Sequence, residues 1–115
     1  MEIFEKPWGR EELIEHNSAY MVKRLIMYAG KRCSLQLHNL KCETIYVLQG
    51  KLRIYIGKTK EDIESKIYTS GETITIRPGV IHRMEAVEDA IYLEASTPEL
   101  KDVVRIEDDY NRKVS

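Results

Sequence analysis

The sequence predicts a small all-β domain built as a sandwich or barrel of short strands. Segments rich in β-branched and aromatic residues recur along the chain, and one of them, Lys51–Gly57, alternates polar and apolar side chains. Turn signals such as Gln49-Gly50 and Arg77-Pro78-Gly79 separate these segments. No segment has the length and periodicity of a stable helix, so the strand-rich classes are favoured.

The strand pattern places the barrel core at about residues 20–96. Residues 1–20 are expected to form a lead-in with one short strand, and the residues after Ser96 a tail, both packed on the core. Residues 58–65 are polar and predict a hairpin loop with at most one helical turn. The expected strands are Arg10–Ile14, Tyr20–Tyr28, Arg32–His38, Glu43–Leu48, Lys51–Gly57, Lys66–Ser70, Glu72–Ile76, His82–Ala86, Ala90–Ser96 and Val103–Arg105.

Length and charge limit the function classes. The 115 residues suit a single domain, taken as residues 1–115, and a core this small would gain stability from a second copy. The net charge is -1, with 18 basic and 19 acidic residues and no basic block. Nucleic-acid binding therefore has no electrostatic support.

Targeting signals and disulfides are not expected. The N-terminal segment is charged and carries no long apolar run, so neither a signal peptide nor a membrane span is predicted, and the expected location is the cytoplasm. The two cysteines, Cys33 and Cys42, are expected to be reduced thiols. Strand alternation predicts that Cys33 faces away from Gln36 and His38.

Four side chains able to bind a metal lie in two hairpin-like blocks. Gln36 and His38 are two residues apart on an expected strand and so share a face. Glu43 opens the next strand, and the turn before His82 can bring that residue to the same spot. These ligands suit one divalent ion, among Zn, Mn, Fe, Co, Ni or Cu. Gln36 could instead orient a neighbouring ligand, and Glu43 could form only an ion pair with Lys41 or Arg32.

The spacing of these blocks resembles the two motifs of the cupin superfamily. The resemblance implies a small cupin barrel, also called a double-stranded β-helix or jelly-roll. Two positions depart from the motifs, because Gln36 replaces a histidine and Arg77 a proline. The matching residues are Gly30, His38, Glu43 and Gly50 in the first motif, and Gly71, Gly79 and His82 in the second.

Further segments resemble the type II mannose-6-phosphate isomerase domain, which often follows a mannose-1-phosphate guanylyltransferase. These segments are Lys6-Pro7-Trp8-Gly9, Val22-Lys23-Arg24, Ser34-Leu35-Gln36 and the stretch from Arg105 to Tyr110 with Arg112. The resemblance implies a metal site of Gln36, His38, Glu43 and His82, with Arg112 contacting the substrate. Asn39-Leu40 and Asn111 depart from the family pattern. The sequence has no glycine-rich nucleotide loop, so nucleotide transfer is not expected of it.

Candidate catalytic residues accompany this metal site. Glu94 lies inside an apolar strand, where a carboxylate needs a partner or a function; Glu85 is a second candidate base. Arg112 is expected to bind phosphate together with Lys23, Arg24 or Arg32. Each of these cations could also be an ordinary surface charge, and Glu94 could serve only in a salt bridge. Arg53 shares a face with Lys51 and Tyr55, and that face is expected to line the lumen.

Three function hypotheses follow. The first is metal-dependent interconversion of mannose 6-phosphate and fructose 6-phosphate, or of a close sugar-phosphate pair. The second is a metal-dependent cupin acting on another small carbohydrate or carboxylate, as an epimerase or dioxygenase. The third is a non-catalytic sugar-binding module. A homodimer is expected in each case, because several strands carry apolar side chains on both faces; the N-terminal segment could exchange between subunits.

Overall fold

The computed structural model describes residues 1–112 and 114 and consists of strands, which confirms the all-β prediction. Over this part of the chain no helix occurs, and hence none long and apolar enough to cross a membrane. The strands are β1 (Glu2–Lys6), β2 (Gly9–His16), β3 (Met21–Met27), β4 (Leu35–Leu37), β5 (Glu43–Gln49), β6 (Lys51–Gly57), β7 (Ile63–Thr69), β8 (Thr73–Ile76), β9 (Ile81–Ala86), β10 (Ala90–Ser96) and β11 (Val104–Glu107).

The strands form two antiparallel sheets. The first has the order β1-β2-β3-β10-β5-β8, and the second has the order β11-β4-β9-β6-β7. The two sheets enclose a common interior, which alternate residues of β3 face: Met21, Lys23, Leu25 and Met27 are all buried. The apolar core is formed by Trp8, Leu25, Met27, Ile45, Val47, Leu52, Ile54, Ile76, Met84, Ala86, Ala90 and Tyr92.

The sheets extend beyond the expected core of residues 20–96 at both ends. The lead-in supplies β1, which pairs with β2 from Glu2↔Leu13 to Lys6↔Gly9. The tail supplies β11, which pairs with β4. The sequence prediction missed β1 because this edge strand is mostly exposed and charged, without a clear apolar alternation.

Two internal boundaries also differ from the prediction. Strand β7 begins at Ile63, inside the expected loop of residues 58–65, and its residues are mostly exposed at a sheet edge. Strand β4 is only Leu35–Leu37, so Cys33 lies before it and strand alternation does not apply there. Cys33 consequently lines the interior cavity, contrary to the predicted orientation, and burial raises the pKa of its thiol to about 11. Both cysteines are free thiols in the structure.

A close backbone approach fixes the N-terminal side of the interior. Gly9 has a φ of 155°, and a Cβ atom there would lie 1.9 Å from the carbonyl oxygen of Ile26. Glycine thus lets β2 approach β3 beside Trp8, whose ring is buried in the core and lines the cavity.

Candidate metal centre

Three of the four predicted metal ligands meet inside the barrel. His38 follows β4, Glu43 opens β5 and His82 lies near the start of β9, so three neighbouring segments each contribute one residue. Their candidate ligand atoms all lie within 4.8 Å of one another. Oε1 of Glu43 lies 3.3 Å from Nε2 of His38 and 3.0 Å from Nε2 of His82. The two imidazole centroids are 5.0 Å apart.

The outer nitrogen of each imidazole contacts a backbone carbonyl. Nδ1 of His38 lies 2.5 Å from the carbonyl oxygen of Asp102, and Nδ1 of His82 lies 2.9 Å from that of Val80. A carbonyl oxygen only accepts, so Nδ1 carries the proton in both rings. In the neutral rings, each Nε2 therefore presents a lone pair to the centre.

The inner atoms of this cluster lack hydrogen bonds. Nε2 of both histidines and both carboxylate oxygens of Glu43 are buried without a hydrogen-bond partner. Lone pairs on three residues face one another at contact distance, and burying them this way is costly unless a cation lies between them. Two imidazoles and a carboxylate are the donors that divalent transition metals prefer. The residues present therefore fit a divalent metal ion.

Gln36 lies beside this cluster. It pairs with His82 in the β4–β9 register and lines the same cavity as His38 and Glu43. Its Oε1 accepts a hydrogen bond from Oγ of Ser34 at 2.7 Å. Metal ligation by Gln36 stays a prediction. If Gln36 bound a metal ion through its amide oxygen, the same oxygen would also accept the Ser34 hydrogen bond.

A buried chain of charges connects the cluster to Glu94. Nζ of Lys41 lies 3.4 Å from Oε2 of Glu43 and 3.1 Å from Oε2 of Glu94. Burial alone would raise the pKa of Glu43, but His38, His82 and Lys41 hold it well below its ordinary value of 4.5. Burial raises the pKa of Glu94, and the neighbouring negative charge of Glu43 raises it further. The two carboxyl groups thus differ in proton affinity although they share one lysine.

A cavity of about 380 Å³ opens on one side of the cluster. Gln36, His38, Glu43 and Glu94 line it. The cationic side chains that line the cavity are Lys6, Lys23, Lys41, Lys101, Arg105 and Arg112. A cavity of this size and polarity suits a small, polar and negatively charged ligand.

The cavity contains two of the predicted phosphate-binding cations. Nζ of Lys23 is buried 3.3 Å from Oε2 of Glu11, which also lines the cavity. Arg112 donates from Nη2 to Oδ1 of Asp108 at 2.8 Å and from Nε to the same carboxylate, and its side chain is 24% exposed. The C-terminal Arg112 is therefore an ordered, paired cation and not a frayed surface charge.

Other candidates point elsewhere. Arg24 pairs with Glu12 at 2.6 Å, and Arg32 pairs with Asp109 at 2.5 Å; neither lines the cavity. Arg53 lies between the inward-facing Leu52 and Ile54, so its side chain lies on the outer face of the sheet, contrary to the prediction.

The second candidate base was also misplaced by the prediction. Glu85 lies on the same outer face as Arg53, with its Oε1 accepting a hydrogen bond from the Tyr55 hydroxyl at 2.7 Å. It is not among the residues that line the cavity, so of the two predicted bases only Glu94 can reach a ligand there.

Sequence reasoning missed Asp102, which holds the segment between two cluster residues. Besides the carbonyl contact to His38, its carboxylate accepts hydrogen bonds from the backbone N–H groups of Asn39, Leu40 and Lys41 at 3.0, 2.7 and 2.9 Å. These bonds fix the turn between His38 and Glu43. No sequence signal links Asp102 to residues about sixty positions earlier, because the contact arises only from the fold.

Comparison with solved structures identifies the fold. CapF matches with a TM-score of 0.79 at 20% identity, covering 91% of this chain and 34% of that chain. KdgF from Halomonas sp. matches with a TM-score of 0.77 at 16% identity, covering 89% and 90%. Bacillus subtilis oxalate decarboxylase, described with Mn(II) centres, matches with a TM-score of 0.79 at 17% identity, covering 92% and 30%. The fold is the cupin double-stranded β-helix, as the sequence predicted.

Sequence comparison identifies the family. The family described as "Mannose-6-phosphate isomerase C-terminal" matches residues 1–108, and the chain belongs to it. Mannose-1-phosphate guanylyltransferase ManC of Salmonella typhimurium is 32% identical over 93% of this chain and 22% of its own length. The mannose-1-phosphate guanylyltransferase of Escherichia coli K12 is 30% identical over the same shares. The chain thus spans about a fifth of the length of these relatives.

Proposed function

We propose that this domain interconverts mannose 6-phosphate and fructose 6-phosphate with the help of one divalent metal ion. The observation that carries the proposal is the buried cluster of His38, Glu43 and His82, whose inner atoms lack hydrogen bonds and adjoin a cation-lined cavity. The family match and the guanylyltransferase relatives support a mannose phosphate as the substrate.

The reaction moves one proton between the two carbons at the end of the sugar chain. In the open-chain aldose, a base removes the proton from C2 while the carbonyl oxygen O1 gains a proton, which gives an enediol. A proton is then delivered to C1 and the O2 hydroxyl loses its proton, which gives the ketose; the proton held by the base can exchange with solvent between these steps. A divalent ion held by His38, Glu43 and His82, with Gln36 as the proposed fourth ligand, would polarise the carbonyl and acidify the C2 proton. The isomerisation consumes no other reactant, since substrate and product have the same atoms.

Glu94 is the proposed base. Its carboxyl group lines the cavity, and its pKa is raised by burial and by Glu43, which brings its proton affinity closer to the neutral range. Lys41 contacts Oε2 of Glu94 at 3.1 Å and holds the carboxyl group in place. Glu94 can therefore take and return a proton at one fixed position.

Lys23 and Arg112 are proposed to contact the substrate. Lys23 lines the cavity next to Glu11, where its ammonium group can donate to a sugar hydroxyl. Arg112 is held by Asp108 and keeps donors that the carboxylate does not use.

Isomerisation is tested with mannose 6-phosphate in deuterated water, with each divalent ion supplied in turn to purified protein. Fructose 6-phosphate should form, with deuterium at the exchanging carbon, and both signals should vanish in His82→Ala. Glu94→Gln should abolish turnover, whereas Glu85→Gln, the matched change on the outer face, should not. Stoichiometric metal binding without product or exchange would reject the isomerase and leave a binding module or another cupin chemistry.

We further propose that the domain forms a homodimer. The outer face of the first sheet carries exposed apolar side chains on β5, Tyr46 and Leu48, and a second copy would remove them from water. Sedimentation equilibrium should give twice the chain mass, with a shift toward monomer in Tyr46→Asp. A monomer at all accessible concentrations would reject the dimer.

A further inference from the structure

The cations of the cavity divide into two groups by their partners. Lys23, Lys41 and Arg112 each contact a carboxylate of the protein, at 3.3, 3.1 and 2.8 Å respectively. The other three cavity cations form no ion pair with any residue that the structure describes; they are Lys6, Lys101 and Arg105. Among the described residues, these three cations therefore have no carboxylate at ion-pair distance.

Arg105 stands out in this second group because its guanidinium is partly buried. Its Nε atom is inaccessible to water and has no hydrogen-bond partner within residues 1–112. Arg105 lies on β11 and pairs with Gln36 in the register of β11 and β4, so it is fixed next to the proposed metal ligands. A buried N–H group that lacks an acceptor is costly. Because Arg105 lines the cavity, its terminal Nη groups are the donors that a ligand there could use.

Arg112 is less suited to bind an anion through its fork. The donors on one edge of its guanidinium, Nε and Nη2, are both taken by Asp108. The carboxylate also neutralises the charge of Arg112. A guanidinium with a free edge and no counter-ion binds a phosphate more strongly, because it can donate two parallel hydrogen bonds.

We propose that Arg105 binds the phosphoryl group of the ligand in this cavity. Lys101 and Lys6 add positive charge to the same cavity. Arg112 holds the C-terminal tail through Asp108 and contacts the sugar only with the donors that Asp108 leaves free. The inference rests on the proposed function in its choice of a phosphorylated sugar, but the anion site is testable without turnover. The assignment of the phosphoryl group to Arg105 does not rest on contacts with the metal ion.

The test measures binding of inorganic phosphate to the metal-loaded protein by titration calorimetry. Arg105→Gln should weaken phosphate binding at least about tenfold, because a charged hydrogen-bonding partner is lost. Arg105→Lys should restore part of the affinity by returning the charge without the fork. Arg53→Gln, a matched change on the outer face, should bind phosphate as the unmodified protein does, and Arg112→Gln should lose less affinity than Arg105→Gln.

Two controls separate phosphate binding from folding and from other anions. The melting temperature and the metal affinity of Arg105→Gln should match those of the unmodified protein; if Arg105→Gln does not fold, Arg105→Lys carries the comparison. Acetate should bind more weakly than phosphate. Equal binding of acetate and phosphate, with equal loss in the variant, would overturn the assignment to a phosphoryl group.

The remaining outcomes also decide the proposal. Unchanged phosphate affinity in the Arg105 variants, or no phosphate binding by the unmodified protein, would overturn it. A greater loss in Arg112→Gln would give the anion site to Arg112. Arg105-dependent phosphate binding without any isomerisation would support the anion site while rejecting the isomerase, so the two proposals can fail separately.

Discussion

Two glutamates of this protein have equally little exposed surface but opposite surroundings, since Glu12 is covered by two partly exposed arginines and Glu43 lies inside the barrel. Glu12 and Glu43 are each 2% exposed. Glu12 accepts hydrogen bonds from Arg10 at 3.1 and 2.7 Å and from Arg24 at 2.6 Å, whereas neither oxygen of Glu43 has a hydrogen-bond partner. The exposed fraction therefore does not distinguish a structural carboxylate from a functional one. The hydrogen-bond partners do distinguish them. Arginines of the protein satisfy the carboxylate of Glu12, whereas the carboxylate of Glu43 needs a further cation, such as a metal ion.

The largest expected effect is on metal binding when Glu43 is changed. Glu43→Gln removes the only negative charge among the three clustered residues, so the affinity for a divalent ion should fall by at least about 100-fold. Competition with a chelating dye measures this affinity. Glu12→Gln, the same substitution at an equally small exposed fraction, should leave it unchanged. Similar metal affinities of the two variants would contradict the comparison.

A smaller loss of metal affinity is expected when Asp102 is changed. Asp102→Ala removes the carboxylate that accepts three hydrogen bonds from the backbone N–H groups of residues 39–41, which loosens the turn between His38 and Glu43. The metal affinity should fall about tenfold, as is common for residues that orient ligands. Asp102→Asn should recover part of this loss.

Asp89 provides the control for this prediction. Its carboxylate also accepts a backbone N–H bond, from Ala29 at 2.7 Å, but it does not line the cavity. Asp89→Ala should therefore leave metal affinity unchanged. An equal loss in both alanine variants would mean that Asp102 acts only through general stability.

For Glu12, the expected effect is on thermal stability and not on metal affinity. Glu12→Gln leaves Arg10 and Arg24 without their carboxylate, so the metal-free protein should unfold at a lower temperature. The increase in melting temperature that a bound metal produces should remain. Thermal unfolding with and without metal tests both points, and a lost metal-dependent increase would count against the structural role of Glu12.

The smallest effect concerns acid stability. The hydrogen bonds from Arg24 and then Arg10 hold the pKa of Glu12 below its ordinary value of 4.5. A lowered folded-state pKa means that this contribution to stability is present above pH 4.5 and is lost as pH falls through the folded value. The unfolding free energy of Glu12→Gln should therefore decrease less between pH 5 and pH 3 than that of the unmodified protein. Parallel pH profiles would contradict this assignment.

Much of the fold could be predicted from local patterns. Alternation predicted β6 and an apolar strand-type segment predicted β10, with Lys51–Gly57 and Ala90–Ser96 at the same boundaries as in the structure. The pattern missed β1 and placed the start of β7 at Lys66 instead of Ile63; both are sheet-edge strands with mostly exposed residues. It also failed at Cys33, because alternation was applied to a residue outside the strand.

The candidate site was predictable only in part. The spacing of His38, Glu43 and His82 predicted that they meet, because a turn separates each of them from the neighbouring strand. In the structure their candidate ligand atoms lie within 4.8 Å of one another. Arg24, Arg53 and Glu85 were expected near the ligand but lie outside the cavity. Their faces depend on strand register, and a shift of one residue would reverse them.

The sequence by itself determined the all-β class, the cupin resemblance and the cluster of metal-ligand types, since these depend on residue type, alternation and spacing along neighbouring segments. The tertiary structure alone decided which charges have partners. Glu12 accepts hydrogen bonds from Arg10 and Arg24, and the carbonyl of Asp102 orients His38. Nε of Arg105 has no hydrogen-bond acceptor among the described residues. Those relations join residues from separate strands and loops, and a buried polar group gains or loses its partner only when the chain folds.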